Sequence, residues 1–327
     1  MDLIITNYIS KLQLGELQSC QNMGIFPLFT SVNESPKYLT LKEAWEKKIL
    51  SVVEIDQGGS VPELKVINKG KISVLLLDGE ELVGAKQNRV LNTTILLKKE
   101  SETVIPVSCT EQGRWSYVSE EFADSDVVAS PLVRRRKVAS VSDSLRQSQR
   151  FDSDQGAVWE EIDQISASAE VHSPTGAMRD VFQSKEDELD EYMKAFVGQA
   201  QQRGLLVFIN GKVIGFDLLS LESAYQALHS KLIKSYALDA LLQRKKKSEA
   251  PSVQAAQTFL QEITSCEEKK YQSLGQGWDY RLQGKTMVGS ALVYRSKVIH
   301  IAFFRTTEAD KAGRMSGYQR RRDFRVY

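Results

Sequence analysis

ISVLLLDGEELVGAKQNRVLNTTILL, residues 72–97, decides the reading of the fold. It begins as a near-continuous apolar run, Ile72–Leu77, breaks at Asp78-Gly79, and resumes at Val90–Leu97. Aliphatic and β-branched runs of this length, bounded by Gly and Asn, are strand signals. Working outward, Val61–Ile67 alternates and leads into Asn68-Lys69-Gly70-Lys71, a turn, and Thr103–Val107 adds a further strand. Upstream, Thr40 is placed to cap a helix over Leu41–Ile49, with Glu43 completing a capping box. Hairpin-sized strands in succession predict an antiparallel β-rich sandwich or barrel-like sheet for residues 1–118.

Residues 119–154 change character. Ser, Asp, Arg and Gln dominate, and Arg134-Arg135-Arg136-Lys137 forms a basic run of the kind that is usually solvated. This stretch is expected to be a long surface loop or linker, able to act as a lid. Helices are expected next. Gln155–Ser166 carries Val158, Trp159, Ile162 and Ile165 at helical spacing. Ser184 can cap Lys185–Gln202, which Gly204 stops. Leu205–Leu219 reads as a hairpin turning at Asn210-Gly211. Long helices are predicted over Leu221–Arg244, ending in the basic Arg244–Lys247, and over Ser252–Tyr271. Trp278–Gln283, Met287–Tyr294 and Val298–Phe304 have the lengths of a closing β-meander. Residues 155–305 either form a second domain or pack as one with the first, and 306–327 read as a basic tail. The fold class is therefore α+β: an N-terminal β-rich part, a helical middle and a C-terminal meander.

Bulk properties bound the function. The 327 residues hold 43 Lys and Arg against 42 Asp and Glu, a formal charge of +1, so no global field draws the chain to nucleic acid or membrane. Three widely spaced cysteines, Cys20, Cys109 and Cys266, give no disulfide framework and no metal knuckle. No apolar run approaches the roughly 20 residues that span a bilayer, and no signal peptide is evident, so a cytoplasmic location is expected. No metal site and no cofactor motif is found.

Chemistry concentrates in two polar stretches that follow strands, Gly79–Asn92 and Ser108–Trp115. Were the two strands neighbours, Arg89 and Arg114 would form a two-pronged clamp for a phosphate or carboxylate. Lys86, Gln87, Asn88 and Asn92 would add polar recognition, and Trp115 a stacking face. Glu80 and Glu111 are the candidate acid and base if there is turnover. Glu80 and Glu81 cannot both serve, because adjacent strand residues point to opposite faces. The competing reading is a solvated hairpin whose charges pair with one another. Cys109 and His172 are secondary candidates. A cysteine after a strand is more often a small buried hydrophobe than a nucleophile. His172 lies in a loop, while His229 and His300 fall in regular elements and read as structural.

Glu80-Glu81-Leu82, Gly84-Ala85-Lys86-Gln87-Asn88-Arg89, Asn92, Pro106-Val107-Ser108-Cys109 and Glu111-Gln112-Gly113-Arg114-Trp115 resemble the signature of a prokaryotic domain family. That family is named for its association with ADP-ribosylglycohydrolase and with the rhodanese/phosphatase superfamily. Pro27-Leu28-Phe29, Leu39–Ala44, Gln155 with Val158-Trp159, and Tyr236-Ala237 with Asp239-Ala240 fit it too, extending the likeness from about Gly15 to Phe304. The resemblance implies a role near NAD-derived or ADP-ribosylated molecules, with a nucleotide-like ligand such as ADP-ribose at the polar motif. Two alternatives stand beside it. One is an interaction protein whose motif is a structural network and whose helical half meets a protein partner. The other, less favoured, is RNA binding through the basic segments.

Overall fold

The computed structural model describes residues 1–56, 62–245 and 249–307. Val61, Lys246, Lys247 and the basic tail beyond Thr307 lie outside the described residues. The chain runs through α1 (Leu3–Ile9), β1 (Leu12–Leu14), β2 (Gln18–Cys20), β3 (Met23–Thr30), β4 (Tyr38–Thr40), α2 (Leu41–Glu46), β5 (Leu50–Glu54) and β6 (Glu63–Asn68). Then come β7 (Ser73–Leu76), β8 (Glu80–Gly84), β9 (Arg89–Leu91), β10 (Ile95–Leu97), β11 (Ser101–Cys109), β12 (Phe122–Val128), α3 (Pro131–Ser148), α4 (Gln155–Ser168), α5 (Met178–Ser184) and α6 (Glu186–Ala195). The last elements are β13 (Gly204–Ile209), β14 (Lys212–Leu219), α7 (Glu222–Leu242), α8 (Val253–Ile263), β15 (Glu267–Gln272), β16 (Trp278–Gln283), β17 (Met287–Tyr294) and β18 (Lys297–Arg305). The α+β class, the N-terminal antiparallel strands, the helical middle and the closing meander are all present.

Three sheets result. The order β12-β8-β9-β11-β6-β5 makes a six-stranded antiparallel sheet whose end strands β12 and β5 meet, giving it a barrel-like curl. A three-stranded sheet, β10-β7-β4, lies beside it, with β4 and β7 parallel. The nine-stranded antiparallel sheet runs β1-β3-β13-β14-β18-β17-β16-β15, with β2 also paired to β3. The strands of the first thirty residues thus join the C-terminal sheet rather than the polar motif's sheet.

Alternation assigns the cores. On one face of the nine-stranded sheet Phe26, Leu206, Phe208, Phe216, Ile301 and Phe303 pack against Ile5 of α1 and Phe259 of α8. On the other face Ile25, Leu205, Val207 and Ile299 meet Leu228, Leu232 and Tyr236 of α7. In β7, Val74 and Leu76 turn to the core under the six-stranded sheet, while Leu75 turns to the α7 core. The small sheet is therefore the layer between the two halves.

Local signals behave as their chemistry requires. The Thr40 hydroxyl accepts the Glu43 N–H at 3.4 Å while Glu43 accepts the Thr40 N–H at 2.8 Å, a complete capping box. Asn210 and Gly211 both have positive φ, +50° and +78°, as a two-residue hairpin turn demands.

Four expectations are corrected. Residues 119–154 are not a loop or linker: they hold β12 and the 18-residue α3, with Pro131 in its first turn. The predicted Val90–Leu97 strand is two strands in different sheets, parted at Asn92-Thr93-Thr94. The predicted Lys185–Gln202 helix is shorter: α6 begins at Glu186, with Glu186, Asp187 and Glu188 at the positive helix end, and stops at Ala195, where Phe196 leaves helical geometry (φ −104°, ψ 88°). The helix predicted to reach Tyr271 ends at Ile263, and the charged Glu267–Gln272 becomes the outer edge strand, a place where charged side chains discourage further pairing.

Candidate functional site

The polar motif occupies β8, β9, the end of β11 and the turns between them. The turn after β8 needs a positive φ at Gly84 (+124°) and Ala85 (+41°). A Cβ at Gly84 would lie 2.5 Å from Ser119 Oγ and 2.9 Å from Glu121 O. Glu80 and Glu81, adjacent in β8, diverge as strand geometry requires. Glu80 accepts from Lys231 of α7 at 2.9 Å and from the Leu77 N–H at 2.8 Å. Glu81 accepts from the Thr110 hydroxyl at 2.7 Å on the opposite face. Burial raises both carboxyls, Glu81 to about 7.

Arg114 is a brace. Its Nε and Nη2 donate to Glu111 at 2.9 and 2.6 Å, its Nη1 to the Ala85 and Ser116 carbonyls at 2.8 and 3.0 Å, and its Nη2 also to Asn88 Oδ1 at 3.1 Å. Glu111 accepts from Thr175 at 2.9 Å as well. Burial opposes ionisation of Glu111, but Arg114, Thr175 and the Asn88 N–H outweigh it and hold the carboxyl below its usual range. The two-arginine clamp is corrected accordingly: Arg114 spends its donors on Glu111 and on backbone, and it fixes the turn. Gln87 bridges the same loops, donating to the Glu111 carbonyl and accepting from Arg89 Nη1 at 2.8 Å.

Arg89 differs. Its side chain is fully buried, and Nη1 reaches the Gln87 carbonyl at 3.1 Å in addition to Gln87 Oε1. Among the described residues it has no salt bridge, and its Nε and Nη2 have no hydrogen-bond partner. The half-exposed Trp115 indole covers it, with the ring centroid 5.6 Å from Cζ, and Lys86 Nζ lies 5.4 Å from the same ring and 5.1 Å from that of Tyr117. Cys109 is the cross-strand partner of Arg89, on the same face of the sheet. Burial pushes the Cys109 thiol up against the opposing pull of Arg89, so it is an inert buried thiol rather than an activated one. Glu54, at the end of β5, completes this face. It is buried, and neither carboxylate oxygen has a hydrogen-bond partner among the described residues.

Asn92 belongs to the lock between sheets. It accepts from Ser108 Oγ at 2.8 Å and donates to the Phe151 carbonyl at 3.2 Å. Thr93 donates to Asp279 at 2.8 Å, and Thr94 Oγ1 accepts the Asp78 N–H at 3.0 Å and lies 2.9 Å from His300 Nδ1. Below them Arg134 grips Asp217 through two N–H groups at 2.8 and 2.6 Å, Lys137 donates to Asp78 and the Leu91 carbonyl, and Tyr236 donates to Asp217 at 2.9 Å. Burial would raise Asp217, but Arg134 and His300 hold it well below the usual carboxylate range. The basic run is thus corrected as well. Arg134 and Lys137, one turn apart on α3, are wholly buried and do not offer RNA a surface. Gly79 (φ +88°) is required beside them, since a Cβ there would sit 2.9 Å from Arg134 Cδ.

The two polar loops do converge, bringing Glu81, Lys86, Gln87, Asn88, Arg89, Cys109, Glu111, Arg114 and Trp115 to one end of the six-stranded sheet, while Glu80, at the far end of β8, is tied to Lys231 instead. His172 is exposed and outside this cluster. Sequence reasoning missed Glu54, Asp78, Lys231 and Asp217. Only Asp78 carried a signal, its position at the head of the motif.

A mixed α+β protein built around a buried polar motif of this kind is defined by the motif itself. The chain belongs to the ARG and Rhodanese-Phosphatase-superfamily-associated Protein domain family, whose profile matches residues 11–304. No curated protein and no solved structure matches it. Among the described residues no helix is long and apolar enough to cross a membrane, and no group of three His, Cys, Asp or Glu could hold a metal ion.

Proposed function

We propose that the chain is a binding module for a phosphate-bearing, nucleotide-like ligand, of which ADP-ribose and NAD-derived molecules are the leading class. The observation that carries this is Arg89: a fully buried guanidinium with two N–H groups unpartnered among the described residues, covered by a half-exposed indole. Nε and Nη2 lie along one edge of the guanidinium and offer the parallel donors that match two phosphate oxygens. Trp115 gives a base a face to stack on once the indole swings aside, and Lys86 adds a second cation at the rim. The family's association with ADP-ribosylglycohydrolase supports the ligand class.

Calorimetry with ADP-ribose, NAD and AMP tests the reading. Binding heat is expected with at least one of them. Arg89→Met should weaken it about 10- to 100-fold, the worth of charge-assisted hydrogen bonds to one anion. No heat with any of the three would sink it.

A second reading, that the motif only braces the fold and the protein works through a protein partner, draws support from the saturation of Arg114, Glu111, Gln87 and Asn88 by one another. On that reading Asn88→Ala lowers the melting temperature and Arg89→Met changes no ligand affinity.

A further inference from the structure

We infer that the ligand seated at Arg89 carries a hydroxyl group beside its anionic group and that Glu54 reads this hydroxyl, which makes the ligand class a phosphorylated sugar, free or as the phosphoribosyl part of a nucleotide. This rests on the anion site proposed above and adds its second half.

Glu54 ends β5, an edge strand of the six-stranded sheet whose inner strands carry Arg89 and Cys109. It is 8% exposed, and both of its carboxylate oxygens lack a hydrogen-bond partner among the described residues. Glu54 pairs with Leu64 and Leu64 with Ile105, and Ile105, Val107 and Cys109 alternate onto one face of the sheet, which Arg89, cross-strand from Cys109, shares. Yet Glu54 and Arg89 form no salt bridge. A buried carboxyl group and the Nε–Nη2 edge of a buried guanidinium, on one face of the sheet and unjoined, are a costly arrangement, because among the described residues neither has a hydrogen-bond partner. A group that bridges them removes both costs.

The chemistry of the two ends defines that group. The free Arg89 edge donates only, so it needs acceptor oxygens, and two of them side by side fit best. A carboxylate accepts only, so Glu54 needs an O–H or N–H. A cationic donor would sit against the Arg89 guanidinium and be repelled, which leaves a neutral O–H or N–H, and in the phosphate-bearing class proposed above the neutral donor a few bonds from the phosphate is a sugar hydroxyl. An anion with a hydroxyl a few bonds away is a sugar phosphate. A dianionic ester such as methyl phosphate offers acceptors alone, and hydrogenphosphate carries both ends on one phosphorus, whereas a sugar phosphate carries them on separate atoms that can span two side chains which do not meet. Trp115, above Arg89 and outside the pair, is where a base attached to that sugar would lie.

Calorimetric titration of the full chain with ribose 5-phosphate and with methyl phosphate, on wild type, Glu54→Gln and Arg89→Met, tests the inference. Wild type should bind ribose 5-phosphate at least 10-fold more tightly than methyl phosphate. Glu54→Gln, close to isosteric, should reduce that preference to under threefold, and Arg89→Met should weaken both probes. Equal affinity of wild type for the two probes, as expected if only a water bridges Glu54 and Arg89, overturns the inference without needing any variant to fold. Persistence of the preference in Glu54→Gln overturns it too. In either case Arg89-dependent binding of methyl phosphate leaves the anion site standing. Binding of neither probe removes both proposals.

Discussion

Replacing Glu81 by Gln should make the protein more stable at alkaline pH and change it far less at pH 5. The Glu81 side chain is fully buried in β8, and burial lifts its pKa from 4.5 to about 7 despite the hydrogen bond from Thr110. A carboxyl that holds its proton more tightly in the folded chain than in the unfolded one contributes stability that is complete below about 4.5 and is lost as pH rises through about 7. At about 1.4 kcal/mol per tenfold change in proton affinity, the loss amounts to about 3 kcal/mol. Gln keeps an oxygen for the Thr110 hydroxyl, and its amide can donate to Ser125, which lies beside it. The variant therefore keeps the contacts and loses the titration. Urea unfolding of both proteins at pH 5, 7 and 8.5 measures the effect. Asp239, raised by burial to about 6, adds a slope of the same sign, but it is present in both proteins and cancels in the difference. The variant should exceed wild type by about 1 kcal/mol at pH 5 and by about 3 kcal/mol at pH 8.5. A difference that does not change between those pH values would refute the buried-carboxyl argument.

Asp217→Ala should cost about 3–5 kcal/mol, the usual result of leaving a buried cation without its partner, and combining it with Arg134→Met should recover part of that loss in a denaturation cycle. Because Asp217 is held below the usual carboxylate range, its contribution is present above about pH 4 and lost as pH falls through the lower folded value, so Asp217→Asn should flatten the acid limb of the stability profile. Gly84→Ala should lower stability by at least about 2 kcal/mol in urea, since it adds a Cβ against Ser119 and Glu121 at a φ of +124°; a change under 0.5 kcal/mol would contradict that backbone. Native protein treated with Ellman's reagent should release colour rapidly from Cys20 alone, because Cys109 and Cys266 are buried. Cys20→Ser should abolish the fast phase, and the denatured chain should give three thiols.

The sequence made legible those elements whose signals are local. The capping box at Thr40, the Asn210-Gly211 hairpin and the three meander strands each depend on a few adjacent residues, and each forms as read. Elements fixed by remote partners were hidden. Helix α3 has a buried apolar stripe, Val133, Val138, Val141 and Leu145, but Arg134 and Lys137 are buried among those residues, so its periodicity looks like a charged surface. Their partners Asp217 and Asp78 lie 83 and 59 residues away, and no spacing rule links them. The break between β9 and β10 has the same origin, since Asn92, Thr93 and Thr94 leave the strand path to bond Ser108, Asp279 and His300. At the candidate site the convergence of the two loops followed only if their strands were neighbours, which β9 and β11 are. The division of labour between its arginines was not, because it depends on Glu111 lying three residues before Arg114 and on no acid being placed to bond Arg89.

That division of labour is what separates bracing from binding here, and burial alone does not make the distinction. Arg114, Arg134 and Lys137 are removed from water and matched to carboxylates, so each holds strands together and has little left to offer a ligand. Arg89 is as buried as Arg134, yet among the described residues its hydrogen-bond acceptors are the neutral oxygens of its immediate neighbours. Leaving buried donors or acceptors without partners costs about 1–3 kcal/mol each. Among the described residues the Nε–Nη2 edge of Arg89 and the two oxygens of Glu54 are such groups. The ties that fix this region run through Glu80 to Lys231, Glu81 to Thr110 and Arg114 to Glu111, and none passes through the free edge of Arg89 or through Glu54. On the function proposed above, a ligand that accepts from Arg89 and donates to Glu54 is what would offset that cost, and this is where the binding reading and the bracing reading part.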